Sequence, residues 1–293
     1  MTSSTLDLSG QTAIVTGANT GIGRVTALEL ARMGAHVFLA CRSQERTLPV
    51  VEAISTETGN PQVEFLHLDL ASLTATRDSA QNFLARDLPL HILVNNAGLA
   101  GVAGMTVDGF EITFGVNHLG HFLFTLLLLE RLQDSTPARI VHVSSRAHTR
   151  PQTLDLEIVR LPRRSFLGRL EYSESKLANI LFHIELADRL EGTGVTTYAL
   201  HPGVIASDFW RMVPQPLRWF LTRPMITNEE GAQTTLHCAT APQLAKESGL
   251  YYDDCQVEQT SEAARDRELA ALLWKRSEEW CTPFLGNPKS NRS

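Results

Sequence analysis

The sequence predicts a single doubly wound α/β domain with a largely parallel sheet, and three observations carry that expectation. Short apolar, β-branched runs alternate with stretches of helical periodicity along the whole chain. The first such run passes straight into a glycine-rich turn and then into a helix. No composition break, flexible linker or internal repeat divides the 293 residues. The expected layout is a core over residues 10–255, a lid region at 205–227, and a C-terminal helix and tail at 261–293.

Thr12-Ala-Ile-Val-Thr16 reads as a buried parallel strand. Gly17-Ala-Asn-Thr-Gly21-Ile-Gly23 follows, and Val25, Leu28, Leu30, Ala31 and Met33 recur at helical spacing up to Gly34, a helix stop. Strand, glycine turn and helix in this order form the first half of a dinucleotide-binding unit. Gly17 allows the tight turn, Gly21 lets backbone N–H groups reach a pyrophosphate, and Gly23 lets helix and strand pack closely. Asn19, Thr20 and Ile22 lie on the same turn and are placed at the cofactor with the glycines.

His36-Val-Phe-Leu-Ala-Cys41 is the second strand, and Arg42 follows it directly. An acidic residue at this point would bind the ribose hydroxyls of NAD, whereas an arginine accommodates the 2′-phosphate of NADP. No acidic residue occurs between Leu39 and Ser43, so NADP(H) is favoured. Val63-Glu-Phe-Leu-His-Leu68 is the third strand, with Asp69 and Leu70 at its end. The Asp69 carboxylate has two readings: an acceptor for an adenine amino group, or a cap for the helix that starts near Ser72.

Ile92-Leu-Val-Asn95 is the fourth strand, and Asn96-Ala97-Gly98 a turn small enough to lie against a ligand. A long helical pattern covers residues 109–132 and carries Asn117, a polar side chain on a mostly buried element that needs partners. Ala138-Arg-Ile-Val-His-Val-Ser144-Ser145 is the fifth strand, ending in two hydroxyls. The irregular, basic stretch 146–171 is expected to be a surface loop beside the site. Helix 172–189 opens with Tyr172-Ser-Glu-Ser-Lys176, which puts a phenol and an ammonium on one face. A nearby cation favours the phenolate, so Lys176 is expected to lower the Tyr172 pKa.

Val195-Thr-Thr-Tyr-Ala-Leu200 is the sixth strand, and His201-Pro202-Gly203-Val204-Ile-Ala-Ser207 follows. Beyond it Trp210, Met212, Trp219, Phe220 and Met225 are interrupted by Pro214, Pro216 and Pro224. That composition suggests a lid over an apolar pocket, with a peripheral membrane contact or plain core packing as alternatives. Helix 228–239, a short strand at 249–252 and a terminal helix over 261–280 complete the chain.

Hydrophobic residues make up 43% of the sequence and charged ones 20%, enough apolar material for a sizeable core. A net charge of -6 argues against a nucleic-acid partner. The four cysteines are scattered without a Cys-x-x-Cys, which favours reduced thiols in an intracellular protein. His118 and His121 sit one helical turn apart with no carboxylate to complete a zinc pattern, so they read as packing residues or as residues behind the site, and no metal is expected. The longest apolar run, residues 122–129, is far shorter than the roughly 20 residues of a membrane span, and the N-terminus lacks a signal-peptide pattern. A cytoplasmic protein with no integral membrane segment is expected.

Together, Thr16-Gly17-x-x-x-Gly21-Ile22-Gly23, Asp69, Asn95-Asn-Ala-Gly98, Asn117, Ser145, Tyr172-x-x-x-Lys176 and Pro202-Gly203 resemble the short-chain dehydrogenase/reductase family over nearly the whole chain. The resemblance implies a Rossmann fold. Ala40-Cys-Arg42, Val116-Asn-His-Leu-Gly-His-Phe122 and the long segment between Ser145 and Tyr172 look most like its retinol dehydrogenase branch, and in part like protochlorophyllide reductase. It implies catalysis by Asn117, Ser145, Tyr172 and Lys176, with Tyr172 as general acid or base, Ser145 donating to the substrate oxygen, and Asn117 keeping a water beside Lys176. It places Tyr172, Lys176, Pro202, Gly203, Val204 and Ser207 at the nicotinamide end of the cofactor, where Ser207 replaces the family's frequent threonine. The implied activity is hydride transfer between NADP(H) and a lipophilic alcohol, aldehyde or ketone. An NADP(H)-binding sensor and a light-driven tetrapyrrole reductase are the alternatives. The N-terminal anchor of many animal retinol dehydrogenases is not in this sequence, so retinol itself is not the expected physiological substrate. A homodimer through the helices around Phe122 and Tyr172 is compatible with the apolar run there.

Overall fold

A computed structural model of the chain describes residues 6–203 and 226–286. Its strands are β1 (Thr12–Thr16), β2 (His36–Cys41), β3 (Val63–His67), β4 (Ile92–Asn95), β5 (Ala138–Val143), β6 (Val195–His201), β7 (Leu250–Asp253) and β8 (Gln256–Val257). They form one sheet in the order β3-β2-β1-β4-β5-β6-β7-β8. Neighbours from β3 to β7 pair in parallel, and β8 closes the edge antiparallel to β7. The order reverses between β1 and β4. Such a reversal opens a crevice beyond the C-terminal strand ends, where ligands bind in doubly wound sheets.

The helices are α1 (Gly21–Arg32), α2 (Gln44–Thr58), α3 (Leu73–Leu84), α4 (Ile112–Asp134), α5 (Arg169–Arg189), α6 (Asn228–Thr240) and α7 (Arg267–Cys281). Alternate strand residues divide between two cores, as the two-residue period of a strand requires. Ile14, Phe38, Leu93 and Ile140 face α3, α4, α5 and α7, whereas Ala13, Val15, Leu39 and Val141 face α1, α2 and α6. Local chemistry fixes the helix ends. Ser43 accepts from Arg46 N at the start of α2, Gly59 closes that helix in the left-handed region, and Thr227 and Glu230 form a capping box on α6.

Three expectations are corrected. Helix α4 has 23 residues and is apolar enough, by length and composition alone, to cross a membrane, but 78% of its most apolar window is buried inside the fold. It is a core helix against α3 and α5, and residues 122–129 are only its greasiest part. Residues 146–171 are more than a surface loop. Leu154, Leu156 and Val159 are buried in the larger core, Glu111 N donates to Val159 O at 2.7 Å, and α5 starts already at Arg169. These apolar residues follow neither a helical nor a strand period, so no pattern announced them. The terminal helix begins at Arg267, where the Asp266 side chain accepts from Leu269 N. Val204, Ser207 and all but the last two residues of the expected lid lie outside the described residues.

Candidate active site

Gly17 turns with φ +66, and a Cβ on it would lie 2.9 Å from Ala97 Cα. A Cβ on Gly23 would lie 2.4 Å from Asn96 Nδ2 and 2.7 Å from Gly17 O. Only hydrogen fits at either position, and the β1–α1 turn therefore abuts the turn after β4. Thr16 fastens the two: Asn96 N and Ala97 N each donate to Thr16 Oγ1 at 2.9 Å, and Asn96 Nδ2 donates to Thr16 O at 2.7 Å. Thr20 is the N-cap of α1 but makes no side-chain cap, and no acidic residue stands in the first turn. The amides around Gly21, Ile22 and Gly23, with half-buried Asn19 beside them, thus retain a positive field suited to an anion.

Arg42 is exposed directly beyond β2. Ser72, not Asp69, caps α3 by accepting from Ala75 N. Asp69 is half-buried and turns Oδ1 onto Ala71 N at 3.0 Å, with Leu70 buried against Gly120 behind it. Pro202 and Gly203 end β6, Gly203 with φ +86. The glycine cradle, the uncapped helix N-terminus and the guanidinium beyond β2 fit a dinucleotide laid across the C-terminal ends of β1, β2 and β4.

Ser145 follows β5. Its Oγ accepts from Ala147 N at 3.1 Å, which leaves the hydroxyl hydrogen free to donate. Tyr172 is half-buried on the first turn of α5, and Lys176 lies one turn further, with Nζ 5.6 Å from the Tyr172 ring centre. Lys176 Nζ donates to Val143 O at 2.9 Å, while Ser144 Oγ donates to Lys176 O at 2.9 Å, so the end of β5 is bolted to α5. Burial lowers the Lys176 ammonium to about 8. It raises the Tyr172 phenol above its ordinary value, against the Ser145 hydroxyl and the Arg150 guanidinium, which pull it down. The expected lowering by Lys176 is thus reversed in the protein alone. The four-residue spacing brings the two groups together, but desolvation of the phenolate outweighs the lowering influences, and the ammonium is engaged by the Val143 carbonyl.

Asn117 lies on a π-turn, Gly115–Leu119, inside α4, and is fully buried. Its Oδ1 accepts from Leu99 N at 2.7 Å, and its Nδ2 donates to Leu99 O at 3.0 Å and to Ser175 Oγ at 2.9 Å. Ser175 Oγ in turn donates to Tyr172 O at 2.8 Å. Asn117 Oδ1 and Lys176 Nζ converge on Gly98, each 3.5 Å from where a side chain there would begin. The sequence assigns no specific role to Thr16 or Ser144, though both lie in its motifs, and none to Leu99 or Ser175. Ser175 had a signal, a hydroxyl between Tyr172 and Lys176; Leu99 acts through its backbone and had none.

A hydroxyl, a phenol and an ammonium thus stand at the mouth of a dinucleotide-type crevice, an arrangement that can serve proton transfer beside a nicotinamide. Comparison with known proteins agrees. A short chain dehydrogenase profile matches residues 11–155. The chain is 47% identical to human retinol dehydrogenase 11 over 275 residues, covering 92% of this chain and 86% of that protein. It is 48% identical to human retinol dehydrogenase 12 over 274 residues, covering 92% and 85%. It therefore belongs to the short chain dehydrogenase family. Among solved structures, an uncharacterised protein from Mycobacterium Paratuberculosis superposes with a TM-score of 0.77 at 34% identity, covering 95% of this chain and 96% of that one. The NADP active-site complex of Pseudomonas aeruginosa RhlG superposes with a TM-score of 0.68 at 25% identity, covering 84% and 94%.

Proposed function

We propose that the protein is an NADP(H)-dependent oxidoreductase that interconverts a lipophilic alcohol with its aldehyde or ketone. The observation that carries this reading is the convergence of Ser145, Tyr172, Lys176 and Asn117 beside the glycine turn. The nicotinamide, when bound, supplies or accepts the hydride. The chain's own residues do the rest. Ser145 donates its free hydroxyl hydrogen to the substrate oxygen and stabilises charge that develops there. Tyr172, kept protonated by burial, gives its proton to that oxygen in reduction and recovers one from it in oxidation. Lys176 brings a buried positive charge to the phenol and to the ribose that would lie next to it. Asn117 braces the helix under both through Ser175.

Arg42 supports NADP(H) over NAD(H), as does the NADP bound in the similar Pseudomonas aeruginosa structure. The names of the human relatives support an apolar, retinoid-like substrate. The test follows NADPH and NADH consumption by the purified protein on aliphatic, aromatic and retinoid aldehydes. Tyr172→Phe is expected to bind NADPH as the wild type does and to lose turnover by about 100-fold or more. Near wild-type turnover in that variant would overturn the assignment.

A further inference from the structure

His121 takes no direct part in the reaction outlined above, yet both its ring nitrogens are engaged. It is buried on α4, with Nε2 2.9 Å from Thr16 Oγ1 and Nδ1 3.1 Å from Asn117 O. Thr16 decides which nitrogen carries the hydrogen. A threonine hydroxyl has one hydrogen and two acceptor sites. Asn96 N and Ala97 N occupy both acceptor sites at 2.9 Å. The hydroxyl hydrogen therefore goes to the ring, and Nε2 is the bare, accepting nitrogen. Nδ1 then carries the hydrogen and donates it to Asn117 O. A carbonyl can only accept, so the two ends of the ring demand the same tautomer. Burial holds the imidazole neutral, with a pKa near 4, so a second proton does not remove the acceptor at neutral pH.

The partner carbonyl is unusual as well. In the π-turn Gly120 N–H reaches back to Gly115 O, a register that takes backbone carbonyls out of the ordinary helical ladder. Asn117 O receives a side-chain donor, His121 Nδ1. His118, one turn earlier, shows what a packing histidine looks like here. It sits among Phe114, Phe122 and Phe182, bonds Ser277 Oγ through Nε2, and leaves Nδ1 without a partner among the described residues.

We propose that His121 is a positioning residue that couples the nucleotide turn to the reaction centre. Its Nε2 fixes Thr16, and with it the Asn96-Ala97 turn, while its Nδ1 fixes the π-turn that carries Asn117. The coupling rests on the reading of Asn117 and Tyr172 given above, but the tautomer does not.

The two halves of the link separate by substitution. In His121→Asn the amide stands where Nδ1 was and keeps a donor for Asn117 O. In His121→Gln the longer side chain reaches the place of Nε2 and keeps an acceptor for Thr16. His121→Phe fills the space and loses both. His121→Phe is expected to weaken NADPH binding and to lower kcat by about tenfold each, the loss of one buried hydrogen bond at either end. His121→Gln should recover NADPH affinity with kcat still low; His121→Asn should recover kcat with affinity still weak. A His121→Phe enzyme equal to wild type, or Asn and Gln variants that lose both quantities as Phe does, would overturn the coupling. Nitrogen-15 NMR of histidine-labelled wild-type protein reads the tautomer without any variant or substrate. The expected signal is a neutral ring protonated on Nδ1 and unchanged from pH 7 to about 5.5. A ring protonated on Nε2 would reject the inference even if catalysis is confirmed, and an Nδ1–H ring in a protein that turns over no aldehyde would leave this link intact while the catalytic reading fails.

Discussion

An exposed guanidinium directly after β2 stands where an acidic side chain would accept hydrogen bonds from ribose hydroxyls. A hydrogen bond to a charged group contributes about 1.5–3 kcal/mol, or roughly 10–100-fold in affinity. Arg42→Ala is therefore expected to weaken NADPH binding by about that factor and to leave NADH binding nearly unchanged. Fluorescence titration of both cofactors checks it, and equal losses would remove the phosphate role from Arg42. The identity of this residue was legible in the sequence because its task depends on charge type and place in the order of elements. The Tyr172 pKa was not legible. Its sign depends on how deeply the phenol is buried and on where Lys176 Nζ turns, and neither follows from a four-residue spacing. Asp69 shows the reverse case: two readings were open, and the Ser72 cap on α3 leaves the aspartate side chain outside the helix cap.

Strands β1, β2 and β4 were visible in the sequence at the bounds the structure gives, and β5 with two residues too many at its end, because a strand buried on both faces is a short, mostly apolar run. Helix α4 was visible as a helix but its π-turn was not, since a one-residue change of register alters no residue type and is fixed only by packing against α5 and the turn after β4. Gly23 in α1 is a case where helix propensity and tertiary contact pull in opposite directions. Alanine at position 23 would gain about 1 kcal/mol of helix propensity. Its Cβ, however, would meet Asn96 Nδ2 at 2.4 Å and Gly17 O at 2.7 Å. One of those neighbours is backbone of the nucleotide turn and cannot rotate away, so overpacking costing about 1–3 kcal/mol should prevail. Gly23→Ala is expected to lower the thermal midpoint and to weaken NADPH binding together. An equally stable variant with unchanged affinity would show that α1 and the Asn96 turn can move apart freely.

Among the described residues six histidines are buried: His148 after β5, His201 at the end of β6, and four on the elements of the larger core, His118 and His121 on α4, His142 on β5 and His183 on α5. His118 and His142 pack against Phe182, and His142 lies 5.8 Å from His183, ring centre to ring centre. Burial holds all four neutral: it takes His118 to about 3, His121 and His183 to about 4, and His142 well below its ordinary value. The ordinary value, 6.5, applies to the unfolded chain. Each histidine therefore contributes stability that is fully present above pH 6.5 and is lost as the pH falls, because the unfolded chain then binds protons the folded chain refuses. At about pH 5.5 each has cost roughly 1 kcal/mol, and the four together several kcal/mol, a large part of the whole stability of an ordinary domain, about 5–15 kcal/mol. The thermal midpoint is expected to be nearly level from pH 8 to 7 and to fall steeply between about pH 6.5 and 5.5, above the range where carboxylates titrate. His118→Phe should make that slope shallower by about one proton, since the ring it replaces already packs among Phe114, Phe122 and Phe182. A midpoint that stays level down to pH 5 would mean that these rings reach solvent or a proton in the folded state, and that the core they share with α4 and α5 opens far more readily than its packing implies.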